Sequence, residues 1–224
     1  MYHSILQASE QAGNMIKKFK AFVFRCLIPF IRLWKFLVWQ FYKRKNDRIK
    51  IIVGAGPTNF PGWFKTDIWY LDLTKREDFL RYFRETKINN MLAEHVLEHL
   101  TEEQILVMLR HIKEFAADDF NFRVAVPDGY HADTNYIENV KPGGLGCGSD
   151  DHKNLFTYKS IAELFAREGF KSHPVEYWDE SGEFHQGYED DGNGFISRSF
   201  KYDDRNVSGK PVYTSLIIDF SLSK

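Results

Sequence analysis

The stretch IIVGAGPTN, residues 51–59, decides the fold. Its apolar first half is typical of a buried strand, and the run ends abruptly in Gly54 and Gly56. Glycine adopts backbone dihedrals that are barred to other residues, so a glycine turn brings the backbone close to a ligand. The stretch therefore predicts a strand and a glycine turn at the ligand-binding edge of a sheet.

Outward from this stretch, strand-like and helix-like segments alternate along the chain. Strands are predicted at Lys50–Val53, Phe64–Ile68, Asn90–Ala93, Phe122–Val126, His173–Trp178 and Thr214–Leu222, and helices at Arg76–Thr86, Glu102–Ala116 and Ser160–Glu168. This alternation predicts an α/β domain with a mostly parallel sheet flanked by helices. Ligands bind such sheets at the carboxyl ends of the strands. Four segments are therefore expected to rim one cleft: Gly54–Thr58, Asp67–Asp72, Glu94–His95 and Asp128.

The charge of the chain is unevenly distributed. Its 224 residues carry a formal net charge of −1, but residues 1–50 hold eleven Lys and Arg against two acidic residues. The rest is acidic on balance, which argues against nucleic-acid binding. We expect a basic amphipathic helical extension over residues 1–46 and a domain over residues 47–224, with an insert at about 179–209.

The two cysteines, Cys26 and Cys147, fit no disulfide framework, and a cytoplasmic location is expected.

The N-terminal extension combines apolar and aromatic residues with a stripe of basic ones. Arg25, Arg32, Lys35 and Lys43 fall on one broad helical face. Because charges interrupt the apolar run, a membrane span is not predicted. The pattern is typical of a helix in a membrane interface, so we expect residues 15–45 to hold the protein at the anionic inner face of a membrane. The alternative is a helix docked on the domain, or on a second copy of the chain in a homodimer.

Two short motifs suggest other functions. A turn such as Gly54–Pro57 also opens flavin- and nicotinamide-binding domains, but Asn59 stands where their third glycine would be, and Asp67 follows too soon. The stretch His95–His99 has the H-x-x-E-H pattern of some zinc peptidases, in which two histidines share a helical face and a glutamate acts as base. It follows a predicted strand, however, which is the wrong context for a peptidase helix.

A longer series of matches points to one family. After the glycine turn come a Pro-Gly-Trp segment at 61–63, a strand ending in Asp67, the stretch AEHVLEH at 93–99 and a strand ending in VPDG at 126–129. Further matches are KPGG at 141–144, DHK at 151–153, Tyr158 and YTSLII at 213–218. Over about residues 50–222 the chain resembles the class I S-adenosylmethionine-dependent methyltransferases, with their Rossmann-like fold. It is most similar to a subgroup of small predicted methyltransferases linked to cell-surface glycan synthesis. It departs from the family in lacking a third glycine and in placing KPGG after the strand Phe122–Val126, because many members have it immediately before the corresponding strand.

The resemblance implies S-adenosylmethionine as cofactor and assigns residues to it. These are Gly54, Ala55, Gly56, Pro57, Asp67, Ile68, Asp72, Leu73, Glu94 and His95. The glycine turn would approach the methionine part, and Asp67 would accept hydrogen bonds from both ribose hydroxyls. Asp72 with Leu73 would hold the adenine edge, while Glu94 and His95 would line the methionine end.

Methyl transfer to a hydroxyl needs a base, because an alcohol is a poor nucleophile until its proton is being removed. Candidate bases follow the predicted strand Phe122–Val126: Asp128, His131, Asp150, Asp151 and His152. We favour His152, whose ordinary pKa lies near working pH, with Asp128 or Asp151 orienting it or binding the acceptor. No metal site is predicted, and an ion held by Asp128, Asp150 and Asp151 is an alternative that no spacing demands.

The expected function is O-methylation of a sugar hydroxyl, in a glycan or glycolipid, by general-base-assisted methyl transfer. The alternatives are a methyltransferase acting on a lipid or another small molecule, or a non-catalytic binding module that shares the fold.

Overall fold

A computed structural model describes residues 26–223, in which helices flank a seven-stranded sheet. The strands are β1 (Lys50–Val53), β2 (Phe64–Lys65), β3 (Ile88–Glu94), β4 (Ala116–Pro127), β5 (Phe170–Trp178), β6 (Phe184–His185) and β7 (Ser215–Leu222). The helices are α1 (26–45), α2 (Arg76–Phe83), α3 (Glu102–Phe115), α4 (Thr134–Val140) and α5 (Tyr158–Ala166). Short 3-10 turns are formed by Leu97–His99, Ser149–Asp151 and Val207–Gly209.

The sheet has the strand order β2-β1-β3-β4-β7-β5-β6. The strands β2, β1, β3 and β4 are parallel, and β7 runs antiparallel between β4 and β5. Because Val53 pairs with Ala93, the next residues, Gly54 and Glu94, emerge together at the carboxyl edge. The predicted fold class, a Rossmann-like α/β fold with a mostly parallel core sheet, is confirmed.

The bounds of several elements differ from the prediction, and backbone pairing explains the difference. β2 ends before the predicted Ile68, because the Asp67 carbonyl accepts two backbone hydrogen bonds and so begins a turn. β4 begins much earlier than predicted, because Ala116 already pairs with Ile88 of β3. Residues 118 and 119 are polar and exposed in this strand, so the sequence shows no apolar pattern there that would predict a strand. The short helix Thr134–Val140 was not predicted, since it buries only two of its side chains.

α3 fixes the position of the segment that precedes it. The Thr101 hydroxyl accepts a hydrogen bond from the Gln104 amide, and the Gln104 side chain accepts one from the Thr101 amide, a capping box at the predicted N-cap. The apolar face of α3 is buried in the main core through Ile105, Met108, Leu109, Ile112 and Phe115. Residues 94–100 are therefore held between the end of β3 and a firmly packed helix.

One face of α1 is docked on the domain. The fully buried Trp39 ring packs edge-on against Phe64, with the ring centroids 5.1 Å apart. Arg32 forms an ion pair with Asp78, whose side chain is almost completely buried. Lys35 also faces the domain, because its Nζ lies over the ring of Tyr70. The basic stripe of the prediction is thus partly used for docking and is not wholly a free surface.

The opposite face of α1 is apolar and exposed. Six large side chains recur along it at helical spacing and are 45–71% exposed: Leu27, Phe30, Leu33, Trp34, Leu37 and Phe41. We call these six residues the outer face of α1. In the range 26–223, no helix has the length and hydropathy needed to cross a membrane. Residues 1–25, including Arg25 of the basic stripe, lie outside the described residues.

Candidate active site at the carboxyl edge of the sheet

The predicted glycine turn follows β1 and requires glycine at its first position. Gly54 and Gly56 have φ of 58° and 48°, which other residues rarely adopt. A Cβ atom added to Gly54 would lie 2.6 Å from Cγ2 of Val96, so a side chain there would displace the segment after β3. Around Gly56 a Cβ would meet nothing within 4 Å. The turn therefore offers an open stretch of backbone beside residue 96.

A small cavity lies beside this turn and gathers several predicted cofactor residues. Its volume is about 80 Å³, and its lining consists of Gly54, Ile68, Leu71, Asp72, Leu73, Thr74, Val96 and Leu100. Four of these were predicted to bind the cofactor. The cavity is well below the roughly 300 Å³ of a typical small-molecule site, so it can hold only part of a nucleoside.

The acidic residues of this region differ in how far their oxygens are occupied. Asp67 is half-buried, and its carboxylate accepts no hydrogen bond from residues 26–223. Asp72 instead accepts hydrogen bonds from the amide and hydroxyl of Thr74 and pairs with Lys75 at 2.9 Å. Burial raises the pKa of Asp72, but the bonds from Lys75 and Thr74 outweigh burial and the net pKa is lowered. Asp67 is free to bind a ligand, whereas Asp72 shapes the loop.

Glu94 and His95 end β3 and hold other elements in place. Glu94 Oε1 accepts hydrogen bonds from the Ser197 hydroxyl (2.7 Å) and the Arg198 amide (2.8 Å), which fastens the 179–209 insert to the strand end. His95 has a φ of 54°, unique among the non-glycine residues of the described range. Its Nε2 lies 2.9 Å from Ser215 Oγ, and its Nδ1 lies 3.0 Å from Glu98 Oε1. Positive φ in such a residue marks strain, which is often stored at functional sites.

A larger cavity lies on the other side of the same segment. Its volume is about 540 Å³, and its lining consists of His95, Glu98, His99, Pro127, Asn139, Val140, Gly146, Cys147, Gly148, Ser149, His152, Arg198, Arg205 and Tyr213. Residues 95–99 thus border both cavities, because Val96 lines the small one while His95 and Glu98 line the large one. A groove of similar volume, about 580 Å³, lies between α1 and α2, away from these strand ends.

The predicted catalytic residues take different positions around the larger cavity. His152 lines it, and its Nδ1 lies 2.7 Å from the Val140 carbonyl oxygen, which orients the ring. Asp151 is exposed, pairs with Lys153 at 2.9 Å and approaches His99 Nδ1 to 3.5 Å. Neither Asp128 nor Asp151 lines the cavity, so neither orients His152 in the way the sequence suggested.

Asp128 is a structural carboxylate in this arrangement. It is fully buried, and its two oxygens accept hydrogen bonds from the amides of Tyr130 (2.9 Å) and Trp178 (2.8 Å). Burial raises its pKa to about 6, although the two backbone donors oppose that shift. It ties the end of β4 to β5, and its oxygens are not offered to a ligand.

Sequence reasoning missed several residues of the larger cavity. Glu98 and His99 were considered only as part of the peptidase pattern and of the AEHVLEH match to the family, and neither motif gave them a role in the site. Arg198 and Arg205 come from the insert, where no periodic pattern indicates which side chains turn inward. The Arg205 guanidinium lies 3.2 Å from the centre of the Tyr213 ring, which precedes β7. The closing stretch YTSLII was the one signal that could have drawn attention to Tyr213.

Comparisons with known proteins give only distant likenesses. No protein-family model and no curated protein matches the chain. LepI, solved with S-adenosylhomocysteine and a substrate analogue, is 13% identical with a TM-score of 0.44, covering 82% of this chain and 38% of that one. A SAM-dependent methyltransferase from Archaeoglobus fulgidus is 12% identical with a TM-score of 0.42, covering 85% and 94%. The mitomycin 7-O-methyltransferase MmcR is 13% identical with a TM-score of 0.44, covering 79% and 49%.

The chain thus spans well under half the length of LepI and about half that of MmcR. Likenesses of this size do not carry substrates or residue roles over to this chain. The chemistry of its site has to come from its own residues.

Proposed function

We propose that the chain is an S-adenosylmethionine-dependent methyltransferase that methylates a sugar hydroxyl in a glycan or glycolipid. The observation that carries this proposal is the pair of cavities that flank residues 95–99 at the carboxyl edge of the sheet. A group transfer between two bound molecules needs adjoining sites that open onto each other, so that the reacting atoms can come within about 3–3.5 Å. The resemblance of the chain to the glycan-linked subgroup of methyltransferases supports the choice of substrate.

The residues around the smaller cavity fit part of the cofactor. The open backbone at Gly54–Pro57 can approach the methionine part, and the Asp67 carboxylate is free to accept hydrogen bonds from ribose hydroxyls. Leu73 and Ile68 supply apolar surface for an adenine ring. The remaining volume comes from the exposed surface over Gly56 and Pro57. When bound, the cofactor supplies a methyl group activated by attachment to a sulfonium.

The larger cavity suits a polar acceptor of the size of a sugar. Its lining includes histidines, two arginines and backbone groups, which can donate and accept hydrogen bonds. His152 is placed to take the proton of the acceptor hydroxyl, because its Nδ1–H is held by the Val140 carbonyl and its Nε2 carries the lone pair. The oxygen then bonds to the methyl carbon as the carbon–sulfur bond breaks, and the pair of electrons remains on sulfur.

The outer face of α1 supports a peripheral membrane location for the enzyme. Six exposed apolar and aromatic side chains on one helix form a patch that water does not favour. The exposed basic residues Arg44 and Lys45 follow it at the end of the helix. A membrane surface would cover the patch and would bring a lipid-linked acceptor close to the cleft. This placement also keeps a lipid acceptor as the alternative substrate.

Calorimetric titration with S-adenosylhomocysteine tests the cofactor, and we expect binding at one site per chain. The acceptor is tested by mass spectrometry of surface glycans from cells with and without this protein. Loss of a methyl-sized mass increment in the deficient cells supports the proposal. Cofactor binding without any change in the glycans would point to a lipid or small-molecule acceptor. Absence of binding would leave the non-catalytic binding module as the better explanation.

A further inference from the structure

Glu98 is a buried carboxylate with little hydrogen-bond compensation within the described residues. Its side chain is 1% exposed, and neither oxygen accepts a hydrogen bond of good geometry from residues 26–223. His95 Nδ1, 3.0 Å from Oε1, is at ion-pair distance. A buried carboxylate with so little compensation is costly, and such groups in proteins are paired or coordinate metals.

Two imidazole rings face this carboxylate. The rings of His99 and His152 have centroids 4.8 Å apart and are nearly perpendicular. One ligand atom from each of Glu98, His99 and His152 lies within 4.8 Å of the other two. His99 Nδ1 is also buried without a hydrogen-bond partner in the described structure, since Asp151 Oδ2 is 3.5 Å away.

His152 is held in the orientation expected of a metal ligand. Its Nδ1–H donates to the Val140 carbonyl oxygen at 2.7 Å, which leaves the lone pair on Nε2. Metal-ligating histidines usually donate their second ring N–H to a backbone carbonyl or carboxylate, which fixes the tautomer and the ring. His95 plays the matching part for Glu98, because it contacts one carboxylate oxygen and leaves the other free.

The two segments that carry these side chains are joined by hydrogen bonds to the backbone carbonyls of Glu98 and Leu100. The Lys153 amide donates to the Glu98 carbonyl oxygen at 2.6 Å, and the Asn154 side-chain amide donates to the Leu100 carbonyl oxygen at 2.6 Å. These hydrogen bonds hold the two segments, and with them the three side chains of the cluster, close together. A site preorganised in this way loses little conformational entropy when an ion binds.

We propose that Glu98, His99 and His152 bind a divalent transition-metal ion in the larger cavity. Two imidazole nitrogens and one carboxylate oxygen suit Zn²⁺ and similar ions, whereas Mg²⁺ and Ca²⁺ prefer oxygen ligands alone. Three protein ligands leave at least one coordination position open, as in catalytic zinc sites. All three side chains line the cavity, so the open position faces the space proposed for the acceptor.

The role of the ion in catalysis rests on the proposed function, but its binding does not. A hydroxyl that coordinates a divalent ion has a lowered pKa, and its proton can pass to solvent water. The oxygen would then take the methyl group as the carbon–sulfur bond breaks. His152 Nε2 cannot be both ligand and base, so the ion would replace His152 as the means of activating the hydroxyl.

A second cluster of potential ligands in the described range provides a matched control. Asp179, Glu183 and His185 also lie within reach of one another. There Asp179 Oδ1 already accepts hydrogen bonds from the hydroxyl and amide of Ser181, and Oδ2 lies 2.8 Å from His185 Nε2. The Asp179 carboxylate is thus satisfied without an ion, Glu183 is exposed, and the cluster lies outside the larger cavity.

The full-length protein, dialysed against a chelator, is titrated with Zn²⁺ by calorimetry and with Co²⁺ by visible absorption. We expect one equivalent to bind, and the His99→Ala and His152→Ala variants to lose affinity at least about 10-fold, the lower end for disturbing a metal site. The His185→Ala variant should bind as the wild type does. Circular dichroism verifies folding, and His99→Gln replaces any alanine variant that fails to fold.

Two outcomes would overturn the metal site. One is the absence of stoichiometric binding in the wild type, and the other is binding that His185→Ala abolishes while His99→Ala and His152→Ala leave it unchanged. Titration with S-adenosylhomocysteine in the presence of the chelator separates this result from the proposed function. Cofactor binding there, without any metal binding, would leave the methyltransferase proposal standing and return the role of base to His152.

Discussion

The Asp67 carboxylate stands apart from the other acids at the carboxyl edge of the sheet. Asp72 is occupied by Thr74 and Lys75, and Glu94 by residues of the insert. Within the described range, the Asp67 carboxylate accepts no hydrogen bond. It is therefore the acid to which we assign the two ribose hydroxyls in the proposed function.

Asp67→Ala is expected to weaken binding of S-adenosylhomocysteine by about 1.5–3 kcal/mol, the range for a lost hydrogen bond to a charged group. Calorimetric titration of the purified protein measures the change. The matched control is Asp118→Ala, because Asp118 is an exposed acid at the far end of the sheet. Equal affinity in the wild type and the Asp67 variant would remove Asp67 from the cofactor site.

The sequence predicts those residues of the candidate site whose positions depend on nearby residues in the chain. Gly54, Ile68 and Leu73 lie near strand ends, and the structure brings them together around the small cavity. Glu94 is different, because its partner Ser197 lies far along the chain, and no periodicity in the sequence links them. Distant pairings are decided by tertiary packing, which a local pattern does not contain.

At the scale of elements, α1 has two apolar faces with different surroundings. Trp39 is buried against the domain, while the outer face is left to solvent. Deleting α1 would expose the part of the hydrophobic core that Trp39 covers, so a truncated protein would test folding rather than membrane binding. Substitutions on the outer face leave the docked side intact and are the sharper experiment.

The triple variant Phe30→Ser, Trp34→Ser and Phe41→Ser should lose binding to anionic vesicles by at least about 100-fold, since each buried large apolar side chain contributes about 1.5–3 kcal/mol. Co-sedimentation at low and high salt measures it, and salt should weaken the wild type because nearby Lys and Arg add about 1 kcal/mol each. The control is Leu145→Ser with Val207→Ser and Val212→Ser, three exposed apolar residues elsewhere.

If the wild-type protein stays in the supernatant, the membrane proposal fails. Light scattering of the wild type and the triple variant would then decide whether the outer face joins two copies of the chain. A dimer in the wild type and a monomer in the variant would be the result that favours association.

Helices and strands with a clear local sequence pattern were predicted with accurate bounds, and those without one were not. The helix Glu102–Phe115 shows a regular apolar period and a capping threonine, and it was located almost to the residue. β4 was too short in the prediction, because residues 118 and 119 are polar and exposed within it. The first residues of β4 pair with β3 but not with β7. A strand segment with a neighbouring strand on one side only does not need the apolar pattern of a buried strand, so the sequence alone does not reveal it.

At the scale of the whole molecule, buried carboxyl groups couple folding to pH. Glu176 is fully buried on β5, and its Oε1 accepts a hydrogen bond from the Phe200 amide at 2.8 Å. Burial raises the pKa of Glu176 to about 7, although the Phe200 amide opposes that shift. Between the ordinary pKa of 4.5 and about 7, the folded protein binds a proton that the unfolded chain has released. The free energy of unfolding therefore falls as pH rises through this window.

Glu176→Gln should flatten this decline, because glutamine is neutral at every pH. The wild type is expected to lose thermal stability from pH 5 to pH 8, and at pH 8 the variant should gain up to about 3 kcal/mol, as the raised pKa implies. Melting temperatures of both proteins at the two pH values measure the effect. Glu163→Gln, which changes an exposed glutamate, is the control and should keep the slope of the wild type. An identical slope in the Glu176 variant would contradict the coupling.

β7 lies in the interior of the sheet, yet it is the last of the seven strands to be synthesised. It bridges β4 and β5 by antiparallel pairing on both sides, and Leu216, Ile217, Ile218 and Phe220 are fully buried. A nascent chain in which all six earlier strands have been synthesised still lacks β7, the strand that joins the two parts of the sheet. Such an intermediate exposes the unpaired edges of β4 and β5, which are open to aggregation or chaperone capture. Synthesis of β7 is therefore the final step in assembling this sheet, and a product cut short before Ser215 should be cleared by proteases rather than accumulate.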